Sequence, residues 1–215
     1  MMNILLLGHR GYLGSYLYKH LSVDILDPAV RKVYSNSKMY DYVINCIGKS
    51  ILEYCETHSE ETEYSNHLII KDIQKIYPEA KIINFSSYYV YDDAGLCTET
   101  SRITNAYHYC RQKLSGEQAI TNGVTFRLGK LFGNPQGNQY KLTEYIFQNN
   151  DLTLDLTQFN PASVDQVLRV VQYELQHGTL SGIYNLANLG TVSQYEYGVF
   201  INKYLGTHKT IRKIK

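Results

Sequence analysis

The apolar run Ile4–Leu7 ends abruptly in Gly8, and two further glycines follow at intervals of three, Gly11 and Gly14, as a helix-like stretch begins. A strand, a glycine turn and a helix in that order form the unit that binds dinucleotides. Glycine permits the tight turn, lacks the Cβ that would hold the backbone away from a pyrophosphate, and lets the helix lie close to its strand. The helix N-terminus then presents unpaired N–H groups and a partial positive charge to the phosphates. A turn of purely structural purpose satisfies the same spacing, so the rest of the chain decides between the two.

Downstream, short apolar runs alternate with longer stretches of helical period. Strands are expected at 4–7, 42–45, 82–85, 125–128, 152–154 and 183–186, and helices at 12–21, 28–37, 60–77, 107–122, 141–149, 164–177 and 194–205. Short, fully apolar strands suit a parallel sheet covered on both faces, and their alternation with helices points to right-handed crossover units. The expected fold is therefore α/β: a Rossmann-like doubly wound parallel sheet with helices on both faces. Asp27-Pro28 offers a helix N-cap followed by proline, and Asn122-Gly123 reads as the stop of the helix before the 125–128 strand. A chain of 215 residues is long enough for one well-buried core, and no repeat or linker interrupts it, so a single domain over 1–215 is expected.

Charge narrows the partners. A formal net charge of +1 with 19% charged residues argues against nucleic acid and anionic membranes and favours small molecules. The four cysteines, Cys46, Cys55, Cys97 and Cys110, form no C-x-x-C pair and read as free thiols of a reducing compartment. The apolar start is too short for a signal-peptide core or a membrane span, which predicts a soluble cytoplasmic protein. The seven histidines show no H-E-x-x-H spacing, and no metal site is expected.

Tyr109 and Lys113 are four apart in a predicted helix, so both side chains fall on one face. A phenol is a poor acid or base near neutral pH unless a cation stabilises its phenolate, and a lysine one turn away supplies one. With 21 tyrosines in the chain, such a pair also arises by chance on a solvated helix. Ser86 and Ser87 raise the odds, because they end the 82–85 run and bring hydroxyls to the edge of the sheet where ligands of open α/β folds bind. For the cofactor's ribose two readings stand: Asp27, nineteen residues beyond Gly8, favours NAD, whereas Arg10 inside the turn favours the 2′-phosphate of NADP.

The residues 3–14, 41–48, 66, 86–91, 109–118, 127–133, 164–167 and 181–187 resemble, in order, the extended short-chain dehydrogenase/reductase family, which includes NAD-dependent epimerases and dehydratases. The similarity is to its dTDP-4-dehydrorhamnose reductase and GDP-fucose synthase branches. Its most specific stretch is Tyr109-Cys110-Arg111-Gln112-Lys113-Leu114-Ser115-Gly116-Glu117. The resemblance implies Tyr109 as catalytic acid-base, Lys113 as its partner and a holder of the cofactor, and Ser87 as the hydroxyl for the reacting oxygen. It implies a cofactor site of Gly8, Arg10, Gly11, Tyr12, Leu13, Gly14, Asp24, Ile25, Asn45, Cys46, Ile47 and Gly48, with Asn66 bracing the active-site helix. On that alignment most of the second strand is missing and Asp27 loses its role, and the Gly8-His9-Arg10-Gly11 turn leans to NADP(H) over NAD(H).

The resemblance further implies a nucleotide-linked sugar as substrate, with 4-keto reduction or epimerisation as the reaction. Dehydration is disfavoured, because Tyr88 and Tyr89 stand where the family's 4,6-dehydratases carry Asp-Glu. Relatives usually continue past the point where this chain ends, so a reduced C-terminal substrate lobe is expected, built from 131–157 and 184–215, with Lys130 in place of an asparagine that meets the nucleotide sugar. A homodimer built on the 107–122 helix is the family's habit. The competing reading is a binding module that senses the cofactor without turnover.

Overall fold

The computed structural model describes residues 2–26, 38–92, 95–104, 106–134 and 142–214. The helix expected at 28–37 and the Asp27-Pro28 cap lie outside the described residues. The first half of the chain runs β1 (Ile4–Leu7), α1 (Tyr12–His20), β2 (Asp24–Ile25), β3 (Tyr42–Asn45), α2 (Leu52–Thr57), α3 (Ser59–Glu63), a π-helical turn (Tyr64–Leu68), α4 (Ile69–Ile76) and β4 (Lys81–Ser87). After a short 3-10 turn (Tyr88–Val90) come α5 (His108–Ala119), β5 (Gly123–Leu128), β6 (Lys130–Phe132), α6 (Leu142–Gln148), β7 (Asp151–Leu154), β8 (Gln158–Phe159) and β9 (Pro161–Ser163). The chain closes with α7 (Val164–His177), β10 (Gly182–Leu186), β11 (Val192–Ser193), α8 (Gln194–Tyr204) and β12 (Thr210–Lys213).

Among the described residues one sheet of six strands dominates, in the order β10-β5-β4-β3-β1-β2, and every pairing in it is parallel. Alternate side chains of these strands face opposite layers. Leu6, Ile44, Ile83 and Phe126 pack against Leu13 and Leu17 of α1 and Val164, Val167 and Val171 of α7. Leu5, Val43 and Ile82 pack against Ile69, Ile70 and Ile73 of α4. This is why the strands read as unbroken apolar runs: neither face meets water. The doubly wound sheet with helices on both faces is thus the observed fold. From β1 the chain winds first to β2 and then back past β1 to β3, so the winding reverses between β1 and β3, the place where such sheets open a crevice at their C-terminal edge.

Several elements depart from expectation. The 60–77 helix is three pieces, α3, the π-helical turn and α4. The unexpected α2 buries one side chain, Cys55, among polar residues, too few apolar positions to leave a period in the sequence. Asn122-Gly123 is not a helix stop: α5 ends at Ala119, and Gly123 opens β5, where a Cβ would come within 2.2 Å of the Ile82 carbonyl oxygen on β4. The expected 152–154 strand exists as β7 but lies outside the main sheet, paired with β12. Its burial alternates, unlike that of β3, because it covers a core on one side alone. That smaller core gathers Leu142, Ile146, Leu152, Leu154, Phe159 and Tyr197 from α6, β7, β8 and α8. A reciprocal Ser193–Glu196 capping box starts α8. No helix among the described residues is long and apolar enough to cross a membrane.

Candidate active site

The glycine turn is shaped by close approach. Gly8 takes the left-handed φ of +81°, and a Cβ on it would sit 2.6 Å from the Cys46 carbonyl carbon. Gly11 N–H donates to the Gly8 carbonyl at 2.9 Å, and a Cβ on Gly14 would lie 2.1 Å from that same oxygen. A side chain at Gly8 would collide with the Cys46–Ile47 backbone after β3, and one at Gly14 would push α1 off the turn. Gly11 is the N-cap of α1 and offers no capping side chain, which leaves the first amides of the helix for another acceptor. The first turn is anchored from below: Asn134 Nδ2 donates to the Tyr12 carbonyl at 2.6 Å, and Asn134 N–H to the Tyr12 hydroxyl at 3.1 Å.

Beside the turn, β3 ends at Asn45, whose Oδ1 accepts from Ile47 N–H at 3.1 Å and whose Nδ2 donates to Asn84 Oδ1 at 3.1 Å. This bond shapes the Cys46–Gly48 bend. Burial pushes the Cys46 thiol well above its ordinary value, so it stays protonated.

One strand further, Ser87 ends β4, with its hydroxyl close enough to the Tyr109 phenol to affect its acidity. Tyr109 and Lys113 lie one turn apart on α5, 5% and 9% exposed. Burial holds the Tyr109 phenol above its usual range, partly opposed by the nearby Ser87 hydroxyl. Burial also pushes the Lys113 ammonium down to about 8, against the pull of Glu117 one turn further on. Lys113 Nζ donates to the Phe85 carbonyl at 3.0 Å. Asn66, in the π-helical turn, is almost wholly buried against α5 and bonds Gln112 on that helix, as the resemblance implied.

These groups line one cleft of about 930 Å³ that starts at Gly11, Tyr12 and Leu13, passes Asn45–Gly48 and the Ser87–Tyr109–Lys113 cluster, and ends among Lys130, Tyr145, Thr153, Asp155 and Gln194. A second hollow, about 450 Å³, lies at the opposite edge of the strands around Lys81, Asn122 and Gly178, remote from this cluster. Gly8, Arg10 and Gly14 shape or flank the turn without lining the cleft, and Arg10 is exposed. Asp24 and Ile25 form β2 at the sheet's edge, also outside the lining. Asp24 pairs with Lys38 at 2.5 Å, which holds its carboxyl below the usual range. Asp27, the alternative ribose reader, falls outside the described residues.

Four residues that support the site were not singled out by the sequence. Arg127 and Glu117 form a buried two-bond pair, 3.0 and 2.6 Å, that clamps α5 to β5 beneath Lys113. The signal was an arginine inside the apolar strand Gly123–Leu128, which buries a charge and so demands a partner. Asn84 and Gln112 left no comparable mark.

A family model described as RmlD substrate binding domain matches residues 2–215. No curated protein shows significant sequence similarity to the chain. Solved structures similar to it include a dTDP-4-dehydrorhamnose reductase from Clostridium acetobutylicum, with TM-score 0.84, 20% identity and coverage of 100% of this chain and 84% of that one. A dTDP-4-dehydrorhamnose reductase from Bacillus anthracis in complex with NADP gives TM-score 0.86, 18% identity and coverage of 100% and 85%. RMD from Pseudomonas aeruginosa complexed with NADPH gives 0.80, 18%, 99% and 85%. At these identities the likeness establishes the shared fold.

Proposed function

The chain belongs to the RmlD substrate-binding-domain family, and from that premise we propose that it is an NADP(H)-dependent oxidoreductase reducing the keto group of a nucleotide-linked sugar. The observation that carries this reading is the convergence of Ser87, Tyr109 and Lys113 on a cleft whose other end is the N-terminus of α1. The cofactor fits the residues present: Gly8 and Gly14 keep the turn free of side chains, and the uncapped amides of α1 suit a pyrophosphate. Asn45, Cys46, Ile47, Gly48 and Lys113 would hold its nicotinamide half, and Arg10 the 2′-phosphate. The phosphorylated form is favoured by that arginine and by the NADP and NADPH bound in the Bacillus and Pseudomonas neighbours.

When bound, the reduced nicotinamide supplies the hydride. Ser87 donates to the carbonyl oxygen and orients it. Tyr109 gives that oxygen its proton: burial keeps the phenol neutral in the free protein, so the proton is there to give, and the Lys113 ammonium one turn away stabilises the phenolate left behind. Lys113 keeps a positive charge beside the forming alkoxide and the departing phenol proton. Dehydration would need a carboxyl pair after Ser87, and Tyr88 and Tyr89 stand there instead; burial holds the Tyr88 phenol protonated too. Substrate is met by Leu131, Leu142, Tyr145, Thr153, Leu154 and Asp155 from the 131–157 segment and by Gln194 and Ile214 from the 184–215 segment, within one domain over 1–215. Lys130 lines the same cleft.

The test is titration with NADPH and NADH, followed by cofactor oxidation against a panel of 4-keto nucleotide sugars. The proposal expects tighter NADPH binding, weakened by Arg10→Ala, and turnover with at least one sugar. Tight binding without turnover on any sugar would mark a cofactor sensor instead.

A further inference from the structure

Gln112 sits between Tyr109 and Lys113 on α5, 2% exposed, with every polar atom of its amide engaged. Its Nε2 donates to the Ser59 carbonyl at 2.8 Å and to Thr62 Oγ1 at 3.1 Å; its Oε1 accepts from Asn66 Nδ2 at 3.0 Å. Asn66 in turn grips one residue of the cleft by both backbone atoms. Its Oδ1 accepts from Lys49 N–H at 2.9 Å, and its Nδ2 donates to the Lys49 carbonyl at 3.1 Å.

The direction of these bonds is fixed at both ends, by the Lys49 backbone at one and the Ser59 carbonyl at the other. A backbone carbonyl only accepts, so Ser59 forces the Gln112 NH₂ toward itself and the Gln112 carbonyl toward Asn66. The Thr62 hydroxyl spends its proton on the His58 and Ser59 carbonyls and is left to accept, which reinforces the same orientation. That carbonyl admits only the NH₂ side of Asn66, so Asn66 Oδ1 faces the Lys49 amide. A flipped Asn66 would break both bonds to Lys49. The Asn66 Oδ1 and the Lys113 ammonium flank the same glycine: a Cβ built on Gly48 would lie 3.2 Å from Asn66 Oδ1 and 3.1 Å from Lys113 Nζ.

We infer that Gln112 is a positioning residue that sets the amide orientation of Asn66, and through it latches the Gly48–Lys49 bend against Lys113 for cofactor binding. The inference rests on the NADP(H) reading above in its affinity arm, while its exchange arm is independent of any ligand. The experiment compares Gln112→Met, close in size but without polarity, with Gln112→Glu, which keeps an acceptor for Asn66 and loses the donor to Ser59. Hydrogen exchange at the Lys49 amide, NADPH affinity and thermal stability are measured for both and for the wild type.

Gln112→Met should lose protection at the Lys49 amide and bind NADPH about tenfold more weakly. Gln112→Glu should lose thermal stability yet keep Lys49 protected and NADPH affinity within about twofold of wild type. If Gln112→Met does not fold, the Gln112→Glu result decides: an unprotected Lys49 amide overturns the latch. So does wild-type Lys49 exchange and NADPH affinity in a folded Gln112→Met. Failure of the wild type to bind NADPH would instead remove the cofactor reading and leave the exchange result to judge the latch.

Discussion

Lys113 carries the sharpest residue-scale consequence. Its pKa is lowered to about 8 from the usual 10.5 by burial, while the Tyr109 phenol is raised, so in the free protein the lysine loses its proton first. The basic limb of kcat/KM should therefore fall as pH rises through about 8 and should report the ammonium, not the phenol. A limb near the ordinary tyrosine value would contradict this. For stability the sign is opposite: between about pH 8 and 10.5 the unfolded chain keeps a proton that the folded chain has released, so this group alone makes folding more favourable as pH rises. Tyr109→Phe should lower kcat by roughly a hundred- to ten-thousandfold while NADPH binds as before, a split that steady-state kinetics and titration resolve together. Ser86, buried with its hydroxyl unpartnered among the described residues, makes a contrasting case. Ser86→Ala should leave thermal stability unchanged or raised, since it removes an unpaired polar group. Ser87, Tyr109 and Lys113, proposed for catalysis, could be picked out because their order along the chain resembles a known family, whereas the Tyr-Lys spacing alone arises by chance. Gln112 and Asn84 could not, because an amide's role depends on which partner the fold brings to it.

At the scale of elements, the strand-turn-helix geometry of the glycine turn was readable, since most of its spacing follows from contacts within that one unit. Gly14→Ala places a Cβ 2.1 Å from the Gly8 carbonyl oxygen, so it should cost about 2–3 kcal/mol by chemical denaturation and weaken NADPH binding in the same protein. Loss of stability alone would mean that the turn is structural. The clamp of α5 on β5 is a second elemental device. Glu117→Ala leaves the Arg127 guanidinium buried without its counter-charge and should cost about 3–5 kcal/mol. What stayed hidden were elements with little apolar surface of their own. α2 buries Cys55 alone, and the π-helical turn interrupts a stretch whose side chains kept a helical rhythm. The misplaced stop at Asn122-Gly123 has a related cause, because glycine serves close strand contact as readily as helix termination.

For the whole molecule, the parallel sheet was legible because burial on both faces writes unbroken apolar runs into the sequence. The smaller core was less so, since its strands β8, β11 and β12 are two to four residues each and draw their stability from contacts distant in sequence. That small core and the sheet share one cleft, with the glycine turn at one end and Thr153, Asp155 and Gln194 at the other. Ligand binding should thus stabilise the protein as a unit: NADPH at about a hundred times its Kd should add about 2.7 kcal/mol to unfolding. The central claim is that a hydride passes from nicotinamide to a sugar carbon under the Tyr109 proton. It is tested most directly by supplying NADPH deuterated on the transferred side of its nicotinamide C4, together with the turned-over 4-keto nucleotide sugar, and weighing the product by mass spectrometry. A product carrying the label at the former carbonyl carbon, lost with Tyr109→Phe, is the expected result. An unlabelled product, or label transfer that ignores Tyr109, would contradict it.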